Sequence, residues 1–194
     1  MKTLLIILSS LLFVAFISCS DKDADKKPTD KQVAELRTAA GDFMGKLKSV
    51  LVSEMQNNGV VKAVSVCSDT ALILTEQMGK SKNLSIKRVS KKNRNPKNVP
   101  DAFEQSVLEK FQSLKMIDKK TEYAEITRLN GNDVIRYMKP IIMQDECITC
   151  HGDNEYIPDA VSEILNERYP NDKARGYSSG ELRGAVSIIK VINN

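Results

Sequence analysis

The sequence has no tryptophan and a single histidine, His151, and these shortages limit the chemistry open to the chain. With one histidine, the chain cannot ligate a metal through a histidine pair, and no second imidazole can serve as a catalytic acid or base. The sequence also lacks a glycine-rich phosphate loop, an internal repeat and a pair of carboxylates at catalytic spacing. A net charge of +4 is too small to indicate nucleic-acid binding by itself. The cysteines are therefore the main carriers of chemistry.

Length and composition predict one soluble globular domain behind an export signal. The chain has 194 residues, of which 41% are hydrophobic and 28% charged, so it can bury one core but is too short to expect two. Residues 1–18 predict a signal peptide, because one lysine precedes an apolar run that is short for a membrane span. We expect residues 31–194 to form the single domain.

The end of the signal segment is typical of a bacterial lipoprotein. The string Phe16-Ile17-Ser18-Cys19 resembles a lipobox, in which the cysteine is acylated after cleavage. A plain secreted protein with a different cleavage site is the alternative. The polar residues 19–30 suit a flexible tether. The sequence thus predicts a protein of a Gram-negative envelope, periplasmic or anchored to the outer membrane through lipid on Cys19.

The only histidine directly follows a Cys-x-x-Cys pair, in the string CITCH at residues 147–151. This spacing is the attachment motif of c-type haem, in which Cys147 and Cys150 form thioethers and His151 ligates iron. A thioredoxin-like redox pair would open a helix after an early strand, whereas this pair lies late in the chain. A zinc site, with Cys67 as a third sulfur ligand, is a second alternative. The motif favours one covalent haem c with its iron.

Hydrophobic periodicity predicts an α+β fold with a mostly antiparallel sheet, flanked by helices that include long N-terminal ones. The predicted helices are 31–57, 60–79, 102–116 and 158–169, and the predicted strands are 84–89, 122–129, 134–143 and 184–192. Asn130-Gly131-Asn132 indicates a hairpin between the second and third strands. Cys67 lies on the apolar stripe of the second helix and is expected to face the core.

The residues alone leave the second axial ligand of the iron open. The donors that suit ferric iron here are a thiolate, a methionine sulfur or an amine, because there is no second histidine. The candidates are Cys67, Met138, Met143 and a lysine. Met143 is close to the motif on its proximal approach and is poorly placed to cross over, whereas Met138 can reach. A five-coordinate iron, with Cys67 a plain buried thiol, is a further alternative.

The basic run Lys80–Lys97 contains eight Lys or Arg residues and no acid. A solvated surface is one interpretation of such a run. The other is that Arg88 or Arg94 pairs with haem propionates, which are costly to bury as unpaired charges. Arg183 is a weaker candidate of the same kind.

Four segments carry a resemblance to a family of bacterial mono-haem c-type domains with a PAS-like fold. They are VSVCSDTA (64–71), KRVSKKNRNPKNVPDAFE (87–104), YMKPIIMQDECITCHGD (137–153) and GYSSGELRGAVSI (176–188). The resemblance spans roughly residues 35–192. It implies that the cysteine in the helix before the RNPxNxP loop ligates the iron opposite histidine, and here that residue is Cys67. Family members usually have an arginine near Lys139, so the lysine is a departure.

The function implied is electron transfer or redox sensing by a haem protein of the envelope. Thiolate ligation by Cys67 would favour the ferric state and lower the reduction potential. A haem-based gas or ligand sensor with a displaceable sixth ligand is the alternative. A peroxidase-like enzyme is less favoured, because no catalytic constellation accompanies the haem motif. The expected partners are a redox protein and the membrane, and no nucleic acid is expected.

Overall fold

A long N-terminal helix leads into a four-stranded antiparallel sheet in the computed structural model, which describes residues 27–192. The helices are α1 (Asp30–Asn58), α2 (Val60–Ser65), α3 (Ala71–Lys82), α4 (Ala102–Ser113), α5 (Asp145–His151) and α6 (Asp159–Arg168). The strands are β1 (Ser85–Val89), β2 (Tyr123–Leu129), β3 (Asn132–Ile142) and β4 (Leu182–Val191). Among the described residues, no helix combines the length and apolar character that crossing a membrane requires. The predicted signal peptide and Cys19 lie outside the described residues.

Helix α1 starts and stops where its local sequence directs. The Thr29 side chain accepts a hydrogen bond from the Gln32 N–H, and the Gln32 side chain accepts one from the Thr29 N–H, which forms a capping box. Gly59 follows the last turn with φ at +83°, a conformation that favours glycine. The buried face of α1 includes Leu36 and Phe43, both with no exposed surface. The helix is one residue longer at each end than the periodicity predicts.

The second predicted helix is interrupted. After α2, residues Val66–Thr70 form a turn of π-helix, and α3 then continues the chain direction. A π-turn inserts one extra residue into the helical repeat and so rotates the side chains that follow it. Val66 and Ala71, on either side of Cys67, pack into the main core, whereas Cys67 itself is half-buried. Cys67 therefore does not pack into the core as expected, although Val66 and Ala71 do.

The sheet has the order β1-β4-β3-β2, and each neighbouring pair is antiparallel. Successive residues of a strand face opposite sides, so Tyr137 and Ile188 pack against α1 and α3 while Met138 and Ala185 pack against α4. At the end of the sheet, the β3–β4 register shifts beside Gly184. A Cβ at Gly184 would lie 2.1 Å from the Val89 carbonyl oxygen, so only glycine fits there.

The predicted α+β class, with its mostly antiparallel sheet and long N-terminal helix, is confirmed. The predicted hairpin joins β2 to β3, and Asn130 and Gly131 both adopt positive φ angles there. Helix α4 is shorter than predicted, because Leu114 is extended and ends it three residues after Phe111. The motif helix α5 and a 3-10 turn at Pro96–Asn98 were not among the predicted elements.

Candidate functional site

A cavity of about 920 Å³ lies at the end of the sheet, between α1 and the motif helix α5. Its apolar wall comes from one face of α1, with Met44, Leu47, Leu51 and Met55. The ends of β1, β3 and β4 form the opposite side, and Cys67 and the CITCH segment face the same space. The cavity therefore gathers residues that are widely separated in the chain.

Helix α5 presents three reactive side chains to this cavity. Cys147, Cys150 and His151 are spaced by three and four residues, so they share one face of the helix. The helix ends at Gly152, whose N–H donates to the Ile148 carbonyl at 2.7 Å. A Cβ at Gly152 would lie 2.6 Å from the Ile148 side chain, so the close turn after the motif requires glycine.

The two motif thiols and Cys67 are not joined in disulfides. Burial raises the pKa of the Cys147 thiol, and burial raises that of Cys150 to about 11. Both thiols are therefore protonated near neutral pH. Among the described residues, no three His, Cys, Asp or Glu side chains converge as a metal-binding group.

His151 is held in one tautomer by a backbone carbonyl. Its Nδ1 lies 2.7 Å from the Ala174 oxygen, and a carbonyl can only accept, so Nδ1 carries the proton. Nε2 consequently keeps a lone pair. Burial, and then the positive charges of Arg94 and Arg183, hold the pKa of His151 well below its usual value. The imidazole is neutral and can act as a ligand through Nε2.

Cys67 lies in the π-turn and lines the cavity. Its own carbonyl accepts a long hydrogen bond of 3.4 Å from Arg88 Nη2, which links the turn to the end of β1. π-turns inside helices are frequent at functional sites, because the extra residue redirects a side chain. Cys67 and the CITCH residues were singled out from sequence alone, and the structure brings them to one cavity.

The three candidate arginines differ in how completely they are partnered. Arg94 is buried and forms an ion pair with Asp172, and it also donates to the Cys150 and Ala174 carbonyls. Arg183 donates to the Ser90 hydroxyl and the Lys92 carbonyl. In the described part of the chain, Arg88 makes one hydrogen bond, the long one to the Cys67 carbonyl. Among the described residues, Arg88 and Arg183 have no carboxylate partner, so the cavity wall they form is electropositive.

The methionine candidates are separated by the sheet. Met138 is fully buried among Val107, Leu108 and Phe111 on the α4 side, away from the cavity. Met143 does line the cavity, beside the motif. Sequence reasoning missed Met44 as a cavity residue, although its spacing to Leu51 and Met55 places all three on one face of α1. A helical count from Met55 would have found it.

Two lysines on the cavity wall, Lys48 and Lys139, are engaged by oxygen atoms. Lys48 pairs with Glu146 at 2.6 Å and also donates to the Gln144 side chain. Lys139 donates to the carbonyls of Lys119 and Thr121 at 2.6 and 2.9 Å. Burial lowers the pKa of Lys139. Both amines fasten loops around the cavity.

The fold and the site together define a class: mixed α+β domains in which a Cys-x-x-Cys-His helix opens onto a large cavity at the end of an antiparallel sheet. A family model described as Tll0287-like matches residues 23–190, and the chain belongs to this family. Among solved structures, the chain is similar to the cyanobacterial heme-protein Tll0287, with 19% identity and a TM-score of 0.63. The match covers 84% of this chain and 97% of that one, and it shows a shared fold. A search of curated proteins gave no match.

Proposed function

We propose that this protein binds one haem covalently, as a haem c, and acts in electron transfer or redox sensing in the bacterial envelope. The observation that carries the proposal is the presence of Cys147, Cys150, His151 and Cys67 around one cavity. Membership of the Tll0287-like family supports it, because the similar solved structure is of a heme-protein. When bound, haem supplies an iron that exchanges one electron between its ferric and ferrous states.

The cavity suits a large, flat, mostly apolar cofactor with charged edges. Its volume of about 920 Å³ is near the top of the range of about 300–1,000 Å³ for ligand pockets. Its apolar α1 wall would exclude water from the cofactor faces. Cys147 and Cys150 would hold the group through thioethers, for which they stand at the motif spacing. Their protonated state suits addition of each S–H across a vinyl group.

His151 would be the proximal iron ligand. The Ala174 carbonyl already fixes its tautomer and ring orientation, so Nε2 needs no proton loss or ring flip before binding. The ring is neutral, which iron ligation requires. The chain's only histidine thus has the properties of a prepared ligand.

Cys67 would be the second axial ligand, as a thiolate. It faces the cavity, whereas Met138 lies on the other side of the sheet and the amines of Lys48 and Lys139 are engaged. Met44, Met55 and Met143 also line the cavity, and the family resemblance is what favours Cys67 among these sulfur donors. A thiolate cancels one positive charge at the iron and favours the ferric state, so we expect a low reduction potential. Reduction would favour protonation of that sulfur, which could release it and open one iron face to a ligand.

Arg88 and Arg183 are the better candidates for binding the propionates. Neither has a carboxylate partner among the described residues, and both line the cavity. Arg94, proposed from the sequence for the same role, has its donors directed to Asp172 and two carbonyls. An arginine binds a carboxylate through two parallel hydrogen bonds. Arg88 is the first choice, because it makes one long hydrogen bond whereas Arg183 Nη1 already donates to two oxygen atoms.

The proposed compartment rests on the first nineteen residues. The signal-like run and the lipobox-like Cys19 indicate export and attachment to a membrane, where c-type haem proteins mature and unpaired thiols need a role. The partner would be a redox protein. We do not propose catalysis, because a peroxidase-like mechanism would need a distal acid–base group that a one-histidine chain does not offer as imidazole.

The test is covalent attachment. The full chain would be expressed with the c-type haem maturation machinery, beside a Cys147→Ser/Cys150→Ser double variant and a Cys67→Ser control. We expect haem to stay with the wild-type and control chains on a denaturing gel and to add one haem mass, and to be lost from the double variant. A colourless wild-type protein that carries stoichiometric zinc would overturn the proposal.

A further inference from the structure

The segment Asp172–Tyr177, which we call the strap, lies against the C-terminal end of the motif helix, beside His151. Its Gly176 and Tyr177 N–H groups donate to the carbonyls of Gly152 and His151 at 2.8 and 3.0 Å. Its Ala174 carbonyl accepts the His151 Nδ1 proton at 2.7 Å. The strap is therefore the structural element that fixes the orientation of His151.

Arg94 binds the same strap carbonyl as His151. Its Nη2 donates to the Ala174 oxygen at 3.3 Å and to the Cys150 oxygen at 2.5 Å. One guanidinium thus connects the motif helix, through Cys150, with the strap that orients the histidine. The Ala174 oxygen has two lone pairs, so the imidazole and the guanidinium can share it.

A buried ion pair holds Arg94 in place. The side chains of Arg94 and Asp172 are only 8% and 4% exposed, and Asp172 accepts from Arg94 Nε at 3.1 Å. The other Asp172 oxygen accepts the Ala174 N–H at 2.9 Å. Burial opposes ionisation of Asp172, but hydrogen bonds from Arg94 and Ala174 outweigh it and lower its pKa. The Arg94–Asp172 pair therefore hydrogen-bonds to both the N–H and the carbonyl of Ala174.

Sharing the carbonyl has an electronic consequence for the histidine. A cationic donor on the Ala174 oxygen withdraws electron density from it, which weakens its bond to the Nδ1 proton. The strength of that bond sets the basicity of the other ring nitrogen, through which a histidine binds a metal. A less basic imidazole stabilises ferric iron less, so the potential rises.

We propose that Arg94 is a positioning residue that orients His151 through the strap and raises the reduction potential by weakening the His151–Ala174 hydrogen bond. This inference rests on the proposed haem function, and it gives Arg94 a role other than binding propionates. Arg175 provides the matched comparison, because it donates to the same Asp172 oxygen at 3.1 Å. Its remaining bonds run to Asn154, Ser162 and Asn166, and none runs to the Ala174 or Cys150 carbonyl.

The test compares Arg94→Lys with Arg175→Lys in the haem-loaded full chain. Both variants keep the positive charge and lose the guanidinium fork. We expect Arg94→Lys to shift the equilibrium at fixed potential about tenfold toward the oxidised form, equivalent to about 59 mV for one electron. We expect no shift for Arg175→Lys. A potential unchanged in Arg94→Lys, or changed equally in both variants, would overturn the inference.

A second readout reports the hydrogen bond itself. Labelling histidine with ¹⁵N marks one ring, because the chain has one histidine. In the reduced, carbon-monoxide-bound and diamagnetic protein, the Nδ1–H proton should move downfield in Arg94→Lys, since its bond to Ala174 strengthens. An unmoved proton contradicts the inference.

If Arg94→Lys does not fold, Asp172→Asn replaces it. That variant removes the carboxylate that holds Arg94 against the Ala174 carbonyl, so the Nδ1–H proton should move downfield, as in Arg94→Lys. An upfield or absent shift overturns the inference. Loss of covalent haem from the wild-type chain would instead refute the proposed function, and the two failures are thereby distinguished.

Discussion

The two faces of the sheet both carry charged side chains, but the partners of those side chains differ. On the α4 face, the fully buried Glu104 pairs with Lys87 at 2.8 Å and lies 3.5 Å from Arg136. On the cavity face, Arg88 and Arg183 donate to a hydroxyl and to backbone carbonyls, and Arg183 also lies over the Tyr177 ring; neither has a carboxylate partner in the described part of the chain. The first face has opposite charges in contact, whereas the second leaves positive charge beside open space.

The α4 cluster has the properties of a structural network. Glu104 also accepts from the Ser187 hydroxyl at 2.7 Å and the Asp101 N–H at 2.9 Å. Arg136 lies over the Phe103 ring, with its Cζ 4.1 Å from the ring centroid. Among the residues that the structure describes, Arg136 Nε is buried and has no hydrogen-bond partner. These contacts fasten α4 to the sheet.

The presence or absence of an oppositely charged partner distinguishes charges that stabilise the fold from charges that are suited to binding a ligand. Buried charges that partner each other contribute to the fold, because removing one leaves the other unpaired. Cavity cations without acids are suited to an anionic ligand, because binding would supply the missing charge. Substitutions on the two faces should therefore affect different observables.

The largest effect on stability is expected from Glu104→Gln. It would remove the carboxylate that binds Lys87 and leave Arg136 paired with Asp101 alone, at a cost of about 2–3 kcal/mol in the free energy of unfolding. Urea titration would measure this, with Glu109→Gln as the control on the same helix. Glu109 forms an exposed pair with Lys91, so its loss should cost less than about 1 kcal/mol. Equal losses of unfolding free energy in the two variants would contradict a stabilising role for the buried Glu104 cluster.

A smaller effect is expected from Met138→Leu. The side chain is fully buried on the α4 face, and a volume-conserving swap there should cost less than about 1.5 kcal/mol. The absorption spectrum of the haem should not change, because Met138 is separated from the cavity by the sheet. A changed spectrum would show that a methionine ligand had been removed and that the assignment of faces is wrong.

The smallest effect on stability is expected from Arg88→Gln. It breaks no ion pair, so the free energy of unfolding should change by less than about 1 kcal/mol. The reduction potential should nevertheless fall, because a positive charge beside the haem would be lost. Spectroelectrochemical titration beside Glu104→Gln would measure this. A potential that falls more in Glu104→Gln than in Arg88→Gln would contradict the division between the faces.

Much of this arrangement is readable from local sequence. Hydrophobic periodicity and Asn130-Gly131 predicted the sheet and its hairpin. The CITCH motif named three side chains, and the family resemblance added Cys67, all of which the structure places around one cavity. These signals succeed because each depends on short spacing or on counting rare residues. These signals do not predict how elements that are distant in the chain are placed relative to one another.

The missed features depend on long-range contacts or on the backbone. Arg94 meets Asp172 across 78 positions, so no spacing rule connects them. The partner of His151 is the carbonyl of Ala174, a group that every residue possesses and that leaves no sequence signal. The π-turn at Cys67 likewise lacks a glycine or proline to mark it, since its sequence, Val66–Thr70, reads as ordinary helix.

The most direct test of the account is an absorption and EPR comparison of wild-type protein with Cys67→Ala, using Met138→Leu as the control. We predict a six-coordinate, low-spin ferric thiolate spectrum for the wild type and for the control. We predict a high-spin, five-coordinate spectrum for Cys67→Ala, with haem still attached covalently through Cys147 and Cys150. A wild-type iron that is already high-spin and five-coordinate, or a Cys67→Ala spectrum identical to wild type, would contradict thiolate ligation and favour a ligand-binding haem.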